Sequence, residues 1–487
     1  MEEEKRKLEK ENALLKEQMA KKDQRIEELE VSLIRAVLRI EELERRVGKD
    51  SHNSSKPPSS DGLGRHPGKP RKKGEKRSGG QKGHAGTSLL QALAPDEIVS
   101  HRPTHCEACQ FDLSQEAGNV KERRQMHDIP EIRLQSVEHQ VEEICCPACQ
   151  HLTRPPFPTG IDAPAQYGPH VQSLAVYLSQ FQLLPMARTC EVLEDLCQCH
   201  LSEATLVNWI GEAAKQLEPT IQHLKSLLIA TTFQHADETG IRIKGLLHWV
   251  HVNATRWLTL YGWHRKRGQE ALETIGIWPH FQGRVMHDRW ASYDHYACAH
   301  SLCGAHLLRD CLFVAEQEKQ PWAQEMFELL LTMTKTADHW RAQGANAIPK
   351  AERDDCIAQY FVILASGFGR HLAQAPPISN TMPKKMGRKK QDASKNLLDA
   401  LLQRAENVLH FLDDLSVPFT NNQAERDLRM IKVQQKISGT FRSTQGATAF
   451  CVIRSYLSTM RKQGRSMLEA MAAVFDGAPF SIAWAPK

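Results

Sequence analysis

Apolar residues recur every three to four positions from the start of the chain to Val47. With Ile26 at heptad position a, Met19, Leu33, Ile40 and Val47 also fall at a, and Leu8, Leu15, Leu29, Ala36 and Leu43 fall at d. Lys22 interrupts the d series, and Asn12 sets a polar group at a. Six such heptads flanked by Glu, Lys and Arg predict a coiled coil over residues 1–48. A lone polar a residue favours a parallel, two-stranded register. The same pattern also allows one amphipathic helix laid against the body.

The periodicity stops at residue 49. Residues 49–95 are rich in Ser, Pro and Gly and too polar to bury a core, so they predict a flexible linker. Between Arg65 and Lys82 it holds eight Lys or Arg residues against one acid, Glu75. Arg71, Lys72 and Lys73 are therefore candidate phosphate contacts. Residues 96–160 carry Cys106–Cys109 and Cys146–Cys149, two Cys-x-x-Cys steps on either side of a β-like run, MHDIPEIRLQSVEHQVEEI. Four thiolates so spaced predict one tetrahedral structural Zn²⁺, with Cys145 as a rival ligand and strands in the intervening loop.

Residues 165–225 read as helices. HVQSLAVYLSQFQLL is amphipathic up to Pro185, MARTCEVLEDLCQC follows, and Ser202 is an N-cap for EATLVNWIGEAAKQL. Two helices about a polar turn predict either a helix-turn-helix presenting Thr205, Asn208 and Lys215, or a plain connector. From about residue 228 the texture changes. LLIATTFQHADETGIRI, LLHWVHVNA and RWLTLYGWHR are three β-like runs, and GQEALETIG is a short helix. GRVMHDRWASYD reads as a fourth strand, and HSLCGAHLLRDCLFVAEQ as a fifth strand entering a helix. Residues 311–415 are helical in pattern apart from the basic break PKKMGRKKQDASK, and NNQAERDLRMIKVQQK is a late helix that Asn421 or Asn422 would cap. The fold class is α/β.

At 487 residues there is room for about three domains, and 41% hydrophobic with 25% charged residues excludes wholesale disorder. The net charge of +5 is small, so its uneven distribution matters more than its size. No apolar run is long enough to span a bilayer, and MEEEKRKLEKEN lacks an apolar h-region, so neither a membrane span nor secretion is expected. Thirteen cysteines with two Cys-x-x-Cys pairs fit a reducing cytoplasm better than a disulfide framework.

Three acids carry candidate chemistry. Asp237 sits in the β-like run His-Ala-Asp-Glu-Thr, Asp288 closes the apolar run Val-Met-His-Asp, and Glu425 lies on the late helix. Acids at the ends of neighbouring strands and on a facing helix can converge into an oxygen-rich pocket suited to Mg²⁺. Two such ions support phosphodiester chemistry. Asp294 is a rival to Asp288, which is preferred because it directly follows the apolar strand. Glu238 should point to the opposite face of its strand. Arg426, Arg429, Lys432 and Lys436 follow Glu425 at helical spacing and predict phosphate contacts. Lys384, Lys385, Arg388, Lys389 and Lys390 form a second basic segment. Cys303 and His306 are a soft pair short of a full metal site, with packing or orientation as the expected role.

The order of these parts resembles the transposases of insertion sequence family sixty-six. The parts are the coiled coil, the Asn-Ser-Ser-Lys-Pro-Pro-Ser-Ser-Asp linker from Asn53 to Asp61, the Cys-x-x-Cys pair and the helical segment. They continue with His-Ala-Asp-Glu-Thr, Cys303-Gly-Ala-His306 and Asn-Asn-Gln-Ala-Glu-Arg from Asn421 to Arg426. The resemblance implies an RNase H-like core whose DDE triad is Asp237, Asp288 and Glu425. That core, residues 226–310 and 416–487, would be split by a helical insertion at 311–415. It implies a transposase that binds terminal inverted repeats through its zinc and helical modules. Two Mg²⁺ (or Mn²⁺) ions would serve cleavage of a strand and attack of the freed 3′-hydroxyl on target DNA. Implied partners are double-stranded DNA, further copies of the chain through the coiled coil, and companion proteins of the same element, on the nucleoid. A non-catalytic DNA-binding regulator derived from a transposase is one alternative, and the three intact acids speak against it. An RNase H-like nuclease without strand transfer is the other, and the coiled coil and zinc module speak against it.

Overall fold

The computed structural model describes residues 89–373 and 391–484, with isolated helical positions between Met19 and Leu43. Most of the heptad region, the basic linker with Arg71, Lys72 and Lys73, and the basic segment Lys384 to Lys390 lie outside the described residues. The chain divides into two compact units. The smaller comprises residues 64–155 and 193–200, and the larger holds the remainder.

The smaller unit is built on two knuckles of the same design. In the first, Cys106 N donates to Phe111 O (2.9 Å) and Gln110 N to Cys106 O (2.9 Å). In the second, Cys146 N donates to His151 O (2.9 Å) and Gln150 N to Cys146 O (2.8 Å). Gln110 and Gln150 both take positive φ, 61° and 57°, to close the turns. A bridge between His105 and Asp112 flanks the first. Strands β1 (Ile144–Cys145) and β2 (Leu152–Thr153) flank the second. The run between them, residues 113–143, carries no strand. Its alternation finds no neighbouring ladder to complete the backbone hydrogen bonds, and its side chains are mostly exposed.

The larger unit holds helix α1 (Pro169–Val176) and helix α2 (Met186–Cys197) as far as Val192. Helix α3 (Glu203–Ile229) is capped by Ser202, whose side chain accepts from Thr205 N at 3.1 Å. This helix runs on through Pro219 to Ile229, past the expected end near 225 and into the run read as β from 228. Leu217, Leu224 and Leu228 continue its buried stripe, and that burial decides the state. Then come β3 (Phe233–Ile243), β4 (Leu246–Ala254), β5 (Thr259–His264), α4 (Gln269–Ile275), β6 (Arg284–His287) and β7 (Ala299–Leu302). The β3–β4 turn is Lys244-Gly245, both at positive φ (50° and 78°), the conformation that suits a two-residue hairpin.

The five strands form one mixed sheet in the order β5-β4-β3-β6-β7. β3, β4 and β5 pair antiparallel, while β3–β6 and β6–β7 are parallel. The expected helical stretch is α5 (Gly304–Gln317), α6 (Pro321–Ala342), α7 (Lys350–Ala373), α8 (Ala393–Gln403) and α9 (Ala405–Leu409). These pack around Trp322, Met326, Leu330, Tyr360 and Leu398. The chain ends in α10 (Asn422–Ser438), α11 (Thr444–Lys462) and α12 (Met467–Phe475). Ala424, Leu428 and Ile431 of α10 and Phe450 of α11 form a second core with Ile241, Val250 and Val252 of the sheet. That packing fixes the start of α10 beside the middle of β3. The architecture is mixed α/β with a helix-rich C-terminal region.

Candidate active site

The parallel ladder between β3 and β6 ends at His235 opposite Met286. Two residues on from each lie Asp237, still inside β3, and Asp288, one residue past the end of β6. The end of a parallel strand is where a crevice opens in α/β sheets. Glu425 joins them from the first turn of α10, where the helix dipole favours negative charge.

Asn421 sets that approach. Its Nδ2 donates to Ala236 O (2.7 Å), its Oδ1 accepts from His235 Nδ1 (2.8 Å), and its backbone N–H donates to Cys303 Sγ (3.2 Å). The side chain expected to cap α10 makes no capping bond, because its amide is held by β3 instead. Beneath it, Gly304 N donates to Phe419 O at 2.8 Å. A Cβ on Gly304 would fall inside the Phe419 ring, so only glycine admits this approach.

The three acids bear on one another electrostatically, although among the described residues their carboxylate oxygens do not gather within 4.8 Å. Burial raises the Asp237 carboxyl well above the usual range, Glu238 adds to it, and Asp288 and Glu425 push the same way. Opposing them is the Glu238 N–H, which donates to Asp237 Oδ1 at 2.8 Å. Asp288 Oδ1 accepts from Trp290 N (3.0 Å), and its Oδ2 lies 3.9 Å from the Arg267 guanidinium. Glu425 Oε1 is buried without a hydrogen-bond partner among the described residues, 3.9 Å from an equally unpartnered His306 Nδ1. Burial lowers the His306 pKa against the pull of Glu425. Burial also pushes the Cys303 thiol up to about 11. Cys303, His306 and Glu425 each offer a ligand atom, all within 4.8 Å of one another. They are the group of three potential ligand side chains that gathers among the described residues.

Glu238 is more than a bystander. Its carboxylate accepts from Arg267 Nε (2.8 Å) and Tyr293 OH (2.7 Å) and is almost fully buried. Arg267 is gripped between the Trp249 and Trp290 rings, 5.0 and 4.4 Å from their centroids. Asp288 bears on both carboxylates of the Asp-Glu pair, and Arg267 lies against both Glu238 and Asp288. No periodicity signals Arg267, which comes 29 residues after Glu238. Asp294 sits apart, with both carboxylate oxygens on Arg404.

The remaining expected contacts are dispersed. Along α10, Arg426 donates to Gln423 Oε1 (3.0 Å), and Arg429 and Lys436 are exposed. Lys432 donates to Gly240 O (2.9 Å), and burial lowers its pKa. On α3, Thr205 is half-buried with its hydroxyl 2.9 Å from Ser202 Oγ, whereas Asn208 and Lys215 are exposed. In the smaller unit, backbone N–H groups of Cys109 and Ala108 hold the Cys106 thiol below its usual range, and Cys149 and Ala148 do the same for Cys146. No three of the four knuckle sulfurs meet within 4.8 Å among the described residues.

The family profile described as "Transposase IS66 family" matches residues 164–449, a span that includes Asp237, Asp288, Cys303, His306 and Glu425. The chain belongs to the IS66 transposase family. Residues 2–89 match a second profile, described as a family of unknown function. This transposase-family chain is also similar to "Uncharacterized protein y4hP" of Sinorhizobium fredii, with 22% identity over 414 residues covering 75% of this chain and 70% of the relative. No helix among the described residues is long and apolar enough to cross a membrane.

Proposed function

We propose that this chain is a DDE transposase with an RNase H-like core, in which Asp237, Asp288 and Glu425 act together on DNA phosphodiesters. What supports the reading is that acids from the end of β6 and from α10 both bear on Asp237 of β3, whose carboxyl is raised by burial, by Glu238, and by Asp288 and Glu425. A half-buried carboxyl raised by burial and by neighbouring acids, with a Glu425 oxygen that has no partner among the described residues, offers oxygen donors that fit Mg²⁺ or Mn²⁺. When bound, a pair of such ions would supply activation of the attacking oxygen and neutralisation of charge on the phosphate. The chain's own part is to hold the three carboxylates in register, through the β3–β6 ladder and the Asn421 staple, and to keep Asp288 beside Arg267.

In this reading Arg426, Arg429 and Lys436 line the phosphate path, with Lys432 anchoring their helix to β3. Thr205, Asn208 and the linker residues Arg71, Lys72 and Lys73 contribute to holding element ends. The Cys106, Cys109, Cys146 and Cys149 knuckles, in which backbone N–H groups lower the Cys106 and Cys146 thiols, suit one structural Zn²⁺ that would draw the four together. The 1–48 coiled coil joins copies of the chain, companion proteins of the element assist, and the complex works on the nucleoid.

The test is an assay with labelled terminal repeats and Mg²⁺. Wild type should nick at the repeat boundary and join the 3′ end to target DNA. Tight end binding without nicking under any divalent ion would favour the regulator, and nicking without joining would favour the nuclease.

A further inference from the structure

We propose that Cys303, His306 and Glu425 form a capture site for a thiophilic divalent cation such as Zn²⁺, so that zinc withdraws Glu425 from the acid cluster. Capture stands on the three ligand atoms alone; that capture inhibits rests on Glu425 being the third acid of the reading above. The donor set is one sulfur, one imidazole nitrogen and one carboxylate oxygen, all within 4.8 Å of one another. Around a tetrahedral zinc with bonds of about 2.0–2.3 Å, neighbouring ligand atoms lie about 3.4–3.7 Å apart. His306 Nδ1 and Glu425 Oε1 are already 3.9 Å apart, so closing onto an ion needs side-chain adjustment and no refolding.

Both of these atoms are buried and unpartnered among the described residues, a costly arrangement for the protein alone and one that a cation would relieve. Cys303 Sγ accepts from the Asn421 N–H, and the His306 and Ala305 N–H groups also bear on it, a set of donors that suits a metal-bound thiolate. On binding, the Cys303 thiol gives its proton to solvent and a Zn–S bond forms, with no change of oxidation state. Thiolate, carboxylate and neutral imidazole together cancel the +2 charge of the ion, which suits a half-buried place. Mg²⁺ has little use for sulfur, so millimolar magnesium does not compete there. The fourth position is left to water, as in open three-ligand zinc sites.

The probe is Co²⁺ added to the full-length chain in millimolar Mg²⁺, read by d–d and sulfur-to-cobalt absorption. A Cys146→Ser background removes the signal expected from the knuckles. The expected result is one Co²⁺ with a one-thiolate charge-transfer band, lost in Cys303→Ser. In His306→Gln its affinity should fall at least about tenfold. Unchanged circular dichroism in either variant shows that the fold survived. Asp288→Asn should keep the band, which separates this site from the wider acid cluster. With labelled ends, the half-inhibitory concentration of added zinc for Cys303→Ser should rise at least about tenfold, each protein being compared with its own rate without added zinc. An unchanged cobalt spectrum and stoichiometry in Cys303→Ser would overturn the proposal even if wild type cleaves normally. A lost band in Cys303→Ser upholds capture even if no DNA cleavage is found.

Discussion

Replacing Asp237 by Asn should make the metal-free protein more stable. The carboxyl is half-buried and has Glu238, Asp288 and Glu425 acting on it, against one donated N–H. Two unit charges about 5 Å apart in an effective dielectric of about 20 repel by about 3 kcal/mol. The Asp288 and Glu425 side chains are 29% and 28% exposed, so solvent trims this figure. Uptake of a proton by Asp237 limits it further, and a net relief of about 1–2 kcal/mol at pH 7 is expected.

The sign with pH follows from the raised carboxyl. The folded state binds this proton more tightly than the unfolded chain. The native state therefore gains stability as pH falls from the raised folded pKa towards the ordinary carboxylate value, and loses it as pH rises through that window. Asn removes this dependence. Thermal melts in chelator should show Asp237→Asn about 2–4 °C above wild type at neutral pH. Divalent ion should reverse the order. At about a hundred times its Kd, Mg²⁺ stabilises a binding protein by about 2.7 kcal/mol, and the variant should lose most of that response. A variant that melts lower in chelator yet responds to Mg²⁺ as wild type does would refute the reasoning.

Gly304→Ala forces the Phe419 ring aside, so it should cost about 1–3 kcal/mol and slow end cleavage, seen as a lower melting temperature with unchanged zinc content. Purified full-length protein should hold about one Zn²⁺ on its knuckles, and Cys146→Ser should lose it by elemental analysis together with specific end binding. Deleting residues 1–48 should lower the oligomeric state in sedimentation and weaken pairing of two ends more than binding of one. Arg267→Ala leaves the buried Glu238 with Tyr293 alone, so stability should fall by about 1–3 kcal/mol, as denaturant unfolding would show.

The five strands of the sheet are legible in the chain because each alternates or runs apolar between clear turns. Asp288 is legible as the residue closing such a run, and Asp237 as an acid inside one. Ser202 reads correctly as a cap because its bond is local, made to Thr205 N three residues on. Asn421 has the same local chemistry, yet its Oδ1, the atom that would cap, accepts instead from His235 Nδ1, 186 residues away. The run from Met126 to Glu143 alternates as a strand would, but a strand requires a partner, and local pattern cannot supply one. The approach of His306 to Glu425 and the Arg267 clamp on Glu238 are products of sheet order and helix packing. Neither leaves a trace in spacing.

The central claim is that Asp237, Asp288 and Glu425 form one catalytic unit that excludes Asp294. The most direct measurement is single-turnover cleavage of labelled element ends in Mg²⁺ by Asp237→Asn, Asp288→Asn, Glu425→Gln and Asp294→Asn, with end binding followed in parallel. The first three should each be slower by at least about a thousandfold, the scale of losing a principal electrostatic stabiliser, with end binding retained. Asp294→Asn should cleave within about tenfold of wild type, because that carboxylate is held by Arg404 away from the crevice. Normal cleavage by Glu425→Gln, with Asp294→Asn inactive, would contradict the account.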